Sequence, residues 1–297
     1  MNLVIGATGL VGGEICRRLA ASGKPVRALV RPTSDPVRVE DLRKAGAELV
    51  TGDLKDPASI QAACRGASTV LSTASSTLSR QPGDSIDGVD RHGQLGLVDA
   101  ARAAGAKHFV YVSFQPMAED FALQRAKQEV EQAIISSGLA YTILRPTFFM
   151  EIWLSKTLGF DVAARTAQIY GKGENPISWI SFPNVAEFAI RSLETPAARN
   201  TMLPLGGREA LTPLQVVCIF EELGGEPFKV EHILESVLRA GKAAARRALD
   251  EAFAALSLGY AQGSVIDMRP VLDIMPVHLV SVHDYARFLI SEVRAGN

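Results

Sequence analysis

Cysteine is scarce in this chain. Three residues, Cys16, Cys64 and Cys218, stand far apart among 297, which excludes a disulfide framework and leaves buried thiols within helices as the expectation. The five histidines, at 92, 108, 232, 278 and 283, are equally scattered, and without His-x-x-x-His or Cys-x-x-Cys spacing no metal site is expected. An excess of one charge is also missing. With 31 basic and 32 acidic residues the net charge is −1, so no overall field draws in nucleic acid or an anionic membrane, and neither is expected as a partner. The cluster Arg239, Lys242, Arg246 and Arg247 is offset by Asp250 and Glu251 and reads as a solvated helix face. No uninterrupted apolar run approaches the roughly 20 residues of a membrane span. An apolar strand already at residue 2 leaves no room for a cleavable signal, so the expected location is cytoplasmic. Repeats and low-complexity segments are absent too. What remains, 47% hydrophobic and 21% charged residues, is ordinary globular composition with enough length for one large domain and a smaller partner.

What is present is concentrated at the amino terminus. Asn2-Leu3-Val4-Ile5 reads as a strand running into Gly6-Ala7-Thr8-Gly9-Leu10-Val11-Gly12, followed by an amphipathic segment from Glu14 to Ala21. Glycines at 6, 9 and 12 suit a strand-to-helix turn whose backbone amides approach a pyrophosphate at the positive end of a helix dipole. Short glycine spacings also arise in plain turns. The preceding strand, the following helix and a second strand at Val26-Arg27-Ala28-Leu29-Val30 favour a dinucleotide site formed by Gly6, Thr8, Gly9, Leu10 and Val11.

The end of the second strand separates the two nicotinamide cofactors, because an acid there would bond the ribose hydroxyls and repel a 2′-phosphate. Arg31 stands there instead, followed by Pro32, Thr33 and Ser34. A fixed cation flanked by hydroxyls favours NADP (NADPH), with Arg31 and Thr33 at the phosphate. The competing reading is a solvated arginine at a strand end.

Through residue 146 β-branched runs near 2–6, 26–31, 48–52, 69–74, 108–114 and 140–145 alternate with helical patterns. This predicts an α/β fold with a doubly wound parallel sheet. Asp56-Pro57 opens one helix, and Gly23, Gly66, Gly105 and Gly138 close others. Ligands in such sheets sit beyond the carboxyl ends of the strands, which adds Asp53, Leu54, Thr73, Ala74, Ser75, Ser113, Phe114 and the segment Pro146, Thr147, Phe148, Phe149 to the candidates. Asp53 either holds the adenine amino group, with Leu54 beside the ring, or makes a turn. The polar stretch 77–88 is a flap over the site or an idle loop. Beyond residue 150 the alternation fails. A strand over 177–182, a helix over 185–193, strands near 200–205 and 277–280, and helices near 213–223, 235–257 and 283–294 are expected. The division is therefore a first domain over 1–150 and a smaller α/β substrate lobe over 151–297, partly interleaved with it.

One charged residue stands out. Helix 119–137 carries an apolar stripe at Leu123, Ala126, Val130, Ala133 and Ile134, and Lys127 falls within it. Its stem lies among core positions, so its ammonium must reach something polar: a cofactor ribose, a substrate oxygen, or solvent at the stripe's edge. Partial burial would lower its pKa towards neutrality and make it a competent proton donor.

With the glycine turn, Arg31, Lys127, the segment Ser137-Gly138-Leu139-Ala140-Tyr141-Thr142-Ile143-Leu144-Arg145-Pro146-Thr147-Phe148-Phe149-Met150-Glu151, Tyr170-Gly171-x-Gly173-Glu174 and Ile180 to Ala189 in view, the chain resembles the NmrA-like branch of the atypical short-chain dehydrogenase/reductases over most of its length. The resemblance implies an NADP-binding Rossmann domain with a small substrate lobe, in a group that includes quinone reductases, isoflavone-type reductases and cofactor-sensing regulators. Ordinary short-chain reductases use Tyr-x-x-x-Lys and a serine after the fifth strand. Ser113 and Lys127 match the serine and lysine, but the tyrosine place holds Leu123, and Asn184 stands where relatives often carry aspartate.

Without that tyrosine, the expected acceptor is one that needs little acid assistance, such as a quinone or conjugated enone. Lys127 and Ser113 are the expected catalytic residues, and Lys127 is equally placed to hold the nicotinamide ribose. Pro146, Thr147 and Phe148 would line the cofactor, while Phe114, Phe149 and Trp153 would offer an apolar substrate wall; core packing explains these aromatics as well. An NADPH-dependent reductase of an apolar small-molecule substrate is the leading expectation. A non-catalytic NADP(H) sensor acting through a regulatory protein partner is the alternative, and a binding scaffold the third; a homodimer is left open.

Overall fold

A computed structural model describes residues 1–78 and 81–295. Ser79 and Arg80, within the stretch read as a flap, lie outside the described residues. The chain divides into two compact units: Met1–Phe114, Phe121–Arg145 and Val185–Leu203 form one, and Gln115–Asp120, Pro146–Asn184 and Pro204–Asn297 the other.

The first unit is a Rossmann-like α/β layer. Strands β1 (Asn2–Ile5), β2 (Val26–Val30), β3 (Glu48–Thr51), β4 (Thr69–Ser72), β5 (His108–Val112) and β6 (Ala140–Pro146) pair in parallel, and β9 (Thr201–Leu205) extends the sheet to the order β3-β2-β1-β4-β5-β6-β9. Helices α1 (Leu10–Ala21), α2 (Pro36–Lys44), α3 (Pro57–Cys64), α4 (Gln94–Ala103) and α5 (Ala122–Ser136) make the crossovers. Strands such as β1 and β5 are apolar runs because both of their faces are covered. Asp35 and Asp56 cap α2 and α3, each followed by proline at the first helical position. Strand order reverses between β1 and β4, so the crevice that such sheets open to ligands lies at the ends of those two strands.

A buried histidine gives this unit a pH dependence. His108 Nε2 lies 3.0 Å from Thr142 Oγ1, and the Thr142 hydroxyl donates to the Ala198 carbonyl at 2.8 Å. Since Thr142 has spent its one hydrogen, Nε2 is the donor. Burial, aided by Arg199, pushes the His108 pKa down to about 4. The unfolded chain takes up this proton near 6.5 while the folded one refuses it, so stability is complete above that pH and declines as pH falls towards 4. Urea unfolding at pH 5 should show a loss of about 1–2 kcal/mol relative to pH 7 from this residue, and His108→Gln should flatten that slope.

The second unit holds a three-stranded sheet, β10-β8-β7, built from β7 (Phe160–Asp161), β8 (Thr166–Tyr170) and β10 (Lys229–Ile233). Around it the helices Pro213–Gly224, Glu235–Ala244, Ala248–Gln262 and Val282–Ala295 contribute to a core that includes Phe160, Ile169, Trp179, Phe220, Leu258 and Ala286.

Four expectations are corrected here. The stretch 177–182 is not a strand: Ile177 and Ile180 make only isolated bridges, and helix Phe182–Arg191 begins at its end. The stretch 277–280 is not one either, because its backbone pairs with a side chain: Asn184 Nδ2 donates to His278 O at 2.8 Å and Val280 N donates to Asn184 Oδ1 at 2.9 Å. An amide both donates and accepts, as one rung of a ladder does, whereas an ionised aspartate could only accept. The expected helix 235–257 is two helices, interrupted at residues 245–247. Cys218 is exposed, whereas Cys16 and Cys64 are buried with their thiols pushed up to about 12 and about 11.

Candidate functional site

The glycine turn at the end of β1 is closed by contacts that exclude side chains. Gly6 has a φ of +82°, and a Cβ there would lie 2.7 Å from Thr73 Oγ1 and 2.8 Å from Ala74 N. One on Gly12 would lie 2.3 Å from the Gly6 carbonyl oxygen. Gly9 N donates to Gly6 O at 2.9 Å, folding the turn over the start of α1. Gly9 itself is the N-cap of α1, with no side-chain cap and no acid in the first turn. Uncapped amides at a helix start, reached by a backbone that carries no Cβ, fit a diphosphate. Thr8 is half-buried and its carbonyl accepts from Arg38 at 2.8 Å; Leu10 is exposed and Val11 buried.

The end of β4 faces this turn. Thr73 N and Oγ1 both donate to the Ile5 carbonyl, at 3.0 and 3.2 Å. Buried Gln94 braces the same loop, donating to Ala74 O at 2.9 Å and accepting from Ser72 Oγ at 2.8 Å. Ser75 Oγ lies 3.2 Å from Thr77 Oγ1.

Beyond β2, Arg31 is partly exposed and already paired. Its Nη1 donates to Asp84 Oδ2 at 2.7 Å, and its backbone N–H to Ser34 Oγ at 2.9 Å. The Thr33 carbonyl accepts from Gln81 Nε2 at 3.0 Å. Asp53 Oδ1 takes the Lys55 N–H at 2.9 Å, the geometry of a turn-making aspartate. Leu54 is buried in the unit's core.

Lys127 is buried in the first unit, with 6% of its surface exposed. Its Nζ lies 3.4 Å from both Tyr111 Oη and Val112 O, and 5.0 Å from the Tyr111 ring centre. Both contacts are long for hydrogen bonds. Burial is the larger influence and lowers its pKa, while Asp90 and Glu131 oppose that shift. Glu131 is forked onto Arg145, at 3.1 and 2.5 Å. Asp90 Oδ2 accepts from Ser76 N and Oγ, at 2.9 and 2.5 Å, while Oδ1 has no partner among the described residues. Tyr111 supplies a hydroxyl beside Lys127, but it is buried on every side and its pKa is raised well above 10, first by burial and then by Asp90 and Glu131. Ser113 is buried and its N–H donates to Leu144 O at 2.8 Å; the polar neighbours of Lys127 are Tyr111 and Val112 rather than Ser113. Phe114 stacks on Phe121 with ring centres 6.0 Å apart.

In the second unit Pro146, Thr147 and Phe148 are buried. The Thr147 hydroxyl donates to Ser178 O, and Phe148 O accepts from Ile180 N at 3.0 Å. Phe149 and Trp153 are half-buried. Trp153 is edge-on to Phe148 at 5.0 Å and to Tyr170 at 5.8 Å, and lies 5.3 Å from Tyr260. These rings form one aromatic cluster.

Sequence reasoning missed Asp84, Asp90, Tyr111 and Glu131. Two of them carried the signal that revealed Lys127, a charge on an apolar stripe: Glu131 shares the buried face of α5, and Asp90 sits among buried Ile86, Val89 and Gly93. Asp84 carried none, since its loop has no periodicity.

A model of the NmrA-like family matches residues 2–290. Among characterised proteins the chain is 29% identical over 279 residues to the NAD(P)H azoreductase of Xenophilus azovorans, covering 93% of this chain and 92% of that one. It is 30% identical over 233 residues to the photosystem II assembly factor Ycf39 of Trieres chinensis, covering 78% and 71%. An NADPH-dependent quinone oxidoreductase of Escherichia coli, crystallised with NADPH, superposes with a TM-score of 0.75 at 20% identity, covering 97% of this chain and 99% of that one. At that identity the likeness concerns the fold.

Proposed function

Because this chain belongs to the NmrA-like family, we propose that it is an NADPH-dependent reductase that delivers hydride to an apolar, conjugated small molecule of the quinone or enone type. The observation that carries this reading is the cradle of Gly6, Gly9 and Gly12 at the β1–β4 switch point, where a Cβ on Gly6 or Gly12 would collide with Thr73 or with Gly6 O. Gly6, Thr8, Gly9, Leu10 and Val11 would hold the diphosphate, Thr73, Ala74 and Ser75 the nicotinamide half, and Arg31 and Thr33 the 2′-phosphate. Relatives named for azo and quinone reduction support an acceptor whose incoming electron pair delocalises. The bound cofactor supplies the hydride.

The chain's own contribution is charge. Lys127 is a cation walled by Tyr111 and steadied by Asp90 and Glu131, placed to hold the nicotinamide ribose or an oxyanion that forms beside it. Half-buried Phe149 and Trp153 supply flat apolar surface. Leu123, four residues before Lys127, is fully buried; its reading as the replacement of the usual tyrosine favours acceptors that need no tyrosine acid.

Loss of NADPH absorbance with a panel of quinones and enones tests the reading. Lys127→Met keeps the stem and deletes the charge, so turnover should fall by about a hundredfold while the melting transition stays cooperative. Unchanged turnover would remove Lys127 from the site. A second reading, a cofactor-binding assembly or sensing protein that works through a protein partner, is favoured by the 30% identity to an assembly factor. Tight NADPH binding with no turnover on any acceptor would select it.

A further inference from the structure

We propose that Lys55 joins Arg31 in a two-cation site for the cofactor's 2′-phosphate, and that Asp84 is the chain's own occupant of that site, so that Asp84 sets how tightly NADP(H) binds. The proposal rests on the reading of Arg31 above and adds two residues to it.

Asp84 is an unusual surface-loop carboxylate, with its side chain only 3% exposed. Arg31 donates to one of its oxygens at 2.7 Å and Lys55 to the other at 2.6 Å. The three side chains come from three separate segments: Arg31 follows β2, Lys55 follows β3, and Asp84 precedes the π-helical turns Ile86–Gly93. Since β2 and β3 are neighbours in the sheet, two cations rise from adjacent strand ends towards one point. The acidic loop is seated there by a second side chain as well. Gln81 donates to Thr33 O at 3.0 Å, and Asp84 N donates to Gln81 O at 3.2 Å. Gly83, at a φ of +77°, makes the turn between them beside Lys55 Nζ.

The charges decide what this arrangement can accept. Asp53 lies 3.8 Å from Lys55 Nζ, so among the described pairs Arg31 and Lys55 face the carboxylates of Asp84 and Asp53. Displacing Asp84 leaves excess positive charge with hydrogen-bond donors on two sides, which suits a phosphate dianion. A phosphate and the Asp84 carboxylate therefore compete for the same donors. A nucleotide without the 2′-phosphate has no reason to displace Asp84.

Titration calorimetry of the full chain with NADPH and with NADH tests this without reference to turnover. Asp84→Asn keeps the shape and an acceptor but removes the charge, and should tighten NADPH by about tenfold while leaving NADH within about twofold. Lys55→Met should weaken NADPH by about tenfold and spare NADH. Asp84→Ser serves in place of the asparagine variant if the latter does not fold. NADPH affinity that is unchanged or weakened on removing the Asp84 charge would overturn the competition and make Asp84 a scaffold for Arg31. Unchanged NADPH affinity in Lys55→Met would overturn the second cation. Wild-type protein that binds both nucleotides equally would instead overturn the placement of Arg31 itself, a result that the variants cannot mimic.

Discussion

Gly12→Ala should abolish measurable uptake of either nicotinamide nucleotide while leaving a folded protein. The added methyl would stand 2.3 Å from the Gly6 carbonyl oxygen, 2.7 Å from its carbon and 2.8 Å from Thr73 Oγ1. Two of these are backbone atoms, so no rotamer relieves the contact; α1 must retreat from the turn or the turn must open. Either movement spoils the approach of the Gly9–Val11 amides to an anion. Overpacking of this kind costs roughly 1–3 kcal/mol, and loss of a preorganised anion cradle should raise the dissociation constants by a hundredfold or more, equivalent to about 2.7 kcal/mol. NADPH and NADH should suffer alike, because the diphosphate is common to both. Calorimetry beside a thermal melt separates the outcomes: a cooperative transition with no binding heat is expected, and full binding in a folded variant would mean that the diphosphate lies elsewhere.

The same contact explains why this part of the chain was legible. A close approach that forbids Cβ leaves a glycine in the sequence, and strands covered on both faces leave apolar runs, so β1 to β6 and the turn after β1 could be read directly. Lys127 was legible for a related reason, as a charge interrupting a buried stripe. Asp90 follows the same logic, since Ile86, Val89, Asp90 and Gly93 are buried at helical spacing along the π-helical turns Ile86–Gly93. The second unit was less legible because its order depends on side chains replacing backbone partners. Asn184 satisfies both His278 O and Val280 N, and so a segment with strand composition forms no strand. Strand β10, Lys-Val-Glu-His-Ile, is partly exposed along its whole length, and the weak contrast between its two faces hides it.

Electrostatics was the least legible layer of all. Arg31 was recognisable as a cation at a strand end, but its partner Asp84 lies 53 residues away in a polar loop, and nothing local announces a pairing across that distance. Lys127 was likewise visible without Asp90 or Glu131, the charges that oppose the effect of burial on its pKa. A lysine read alone looks like a proton donor with a strongly reduced pKa. Asp90 and Glu131 oppose that reduction without cancelling it, so burial still leaves the Lys127 pKa lowered.

Arg31→Glu should separate the two nucleotides more than any other single change. The substitution removes a guanidinium that would face the 2′-phosphate dianion and puts a carboxylate in its place, beside Asp84, which Lys55 also binds at 2.6 Å. Loss of a charge-assisted pair and gain of repulsion, at a site where the wild-type arginine is about 29% exposed and solvent screens part of the effect, amount to about 3–4 kcal/mol, or a 10²–10³-fold weakening of NADPH. NADH carries no phosphate there and should change by no more than about threefold. The loss for NADPH should shrink as ionic strength rises, because screening weakens attraction and repulsion together. Isothermal titration of both nucleotides at low and high salt checks all three expectations. An equal loss for NADPH and NADH would place Arg31 against a group the two cofactors share, and the 2′-phosphate would then have to be held by other residues.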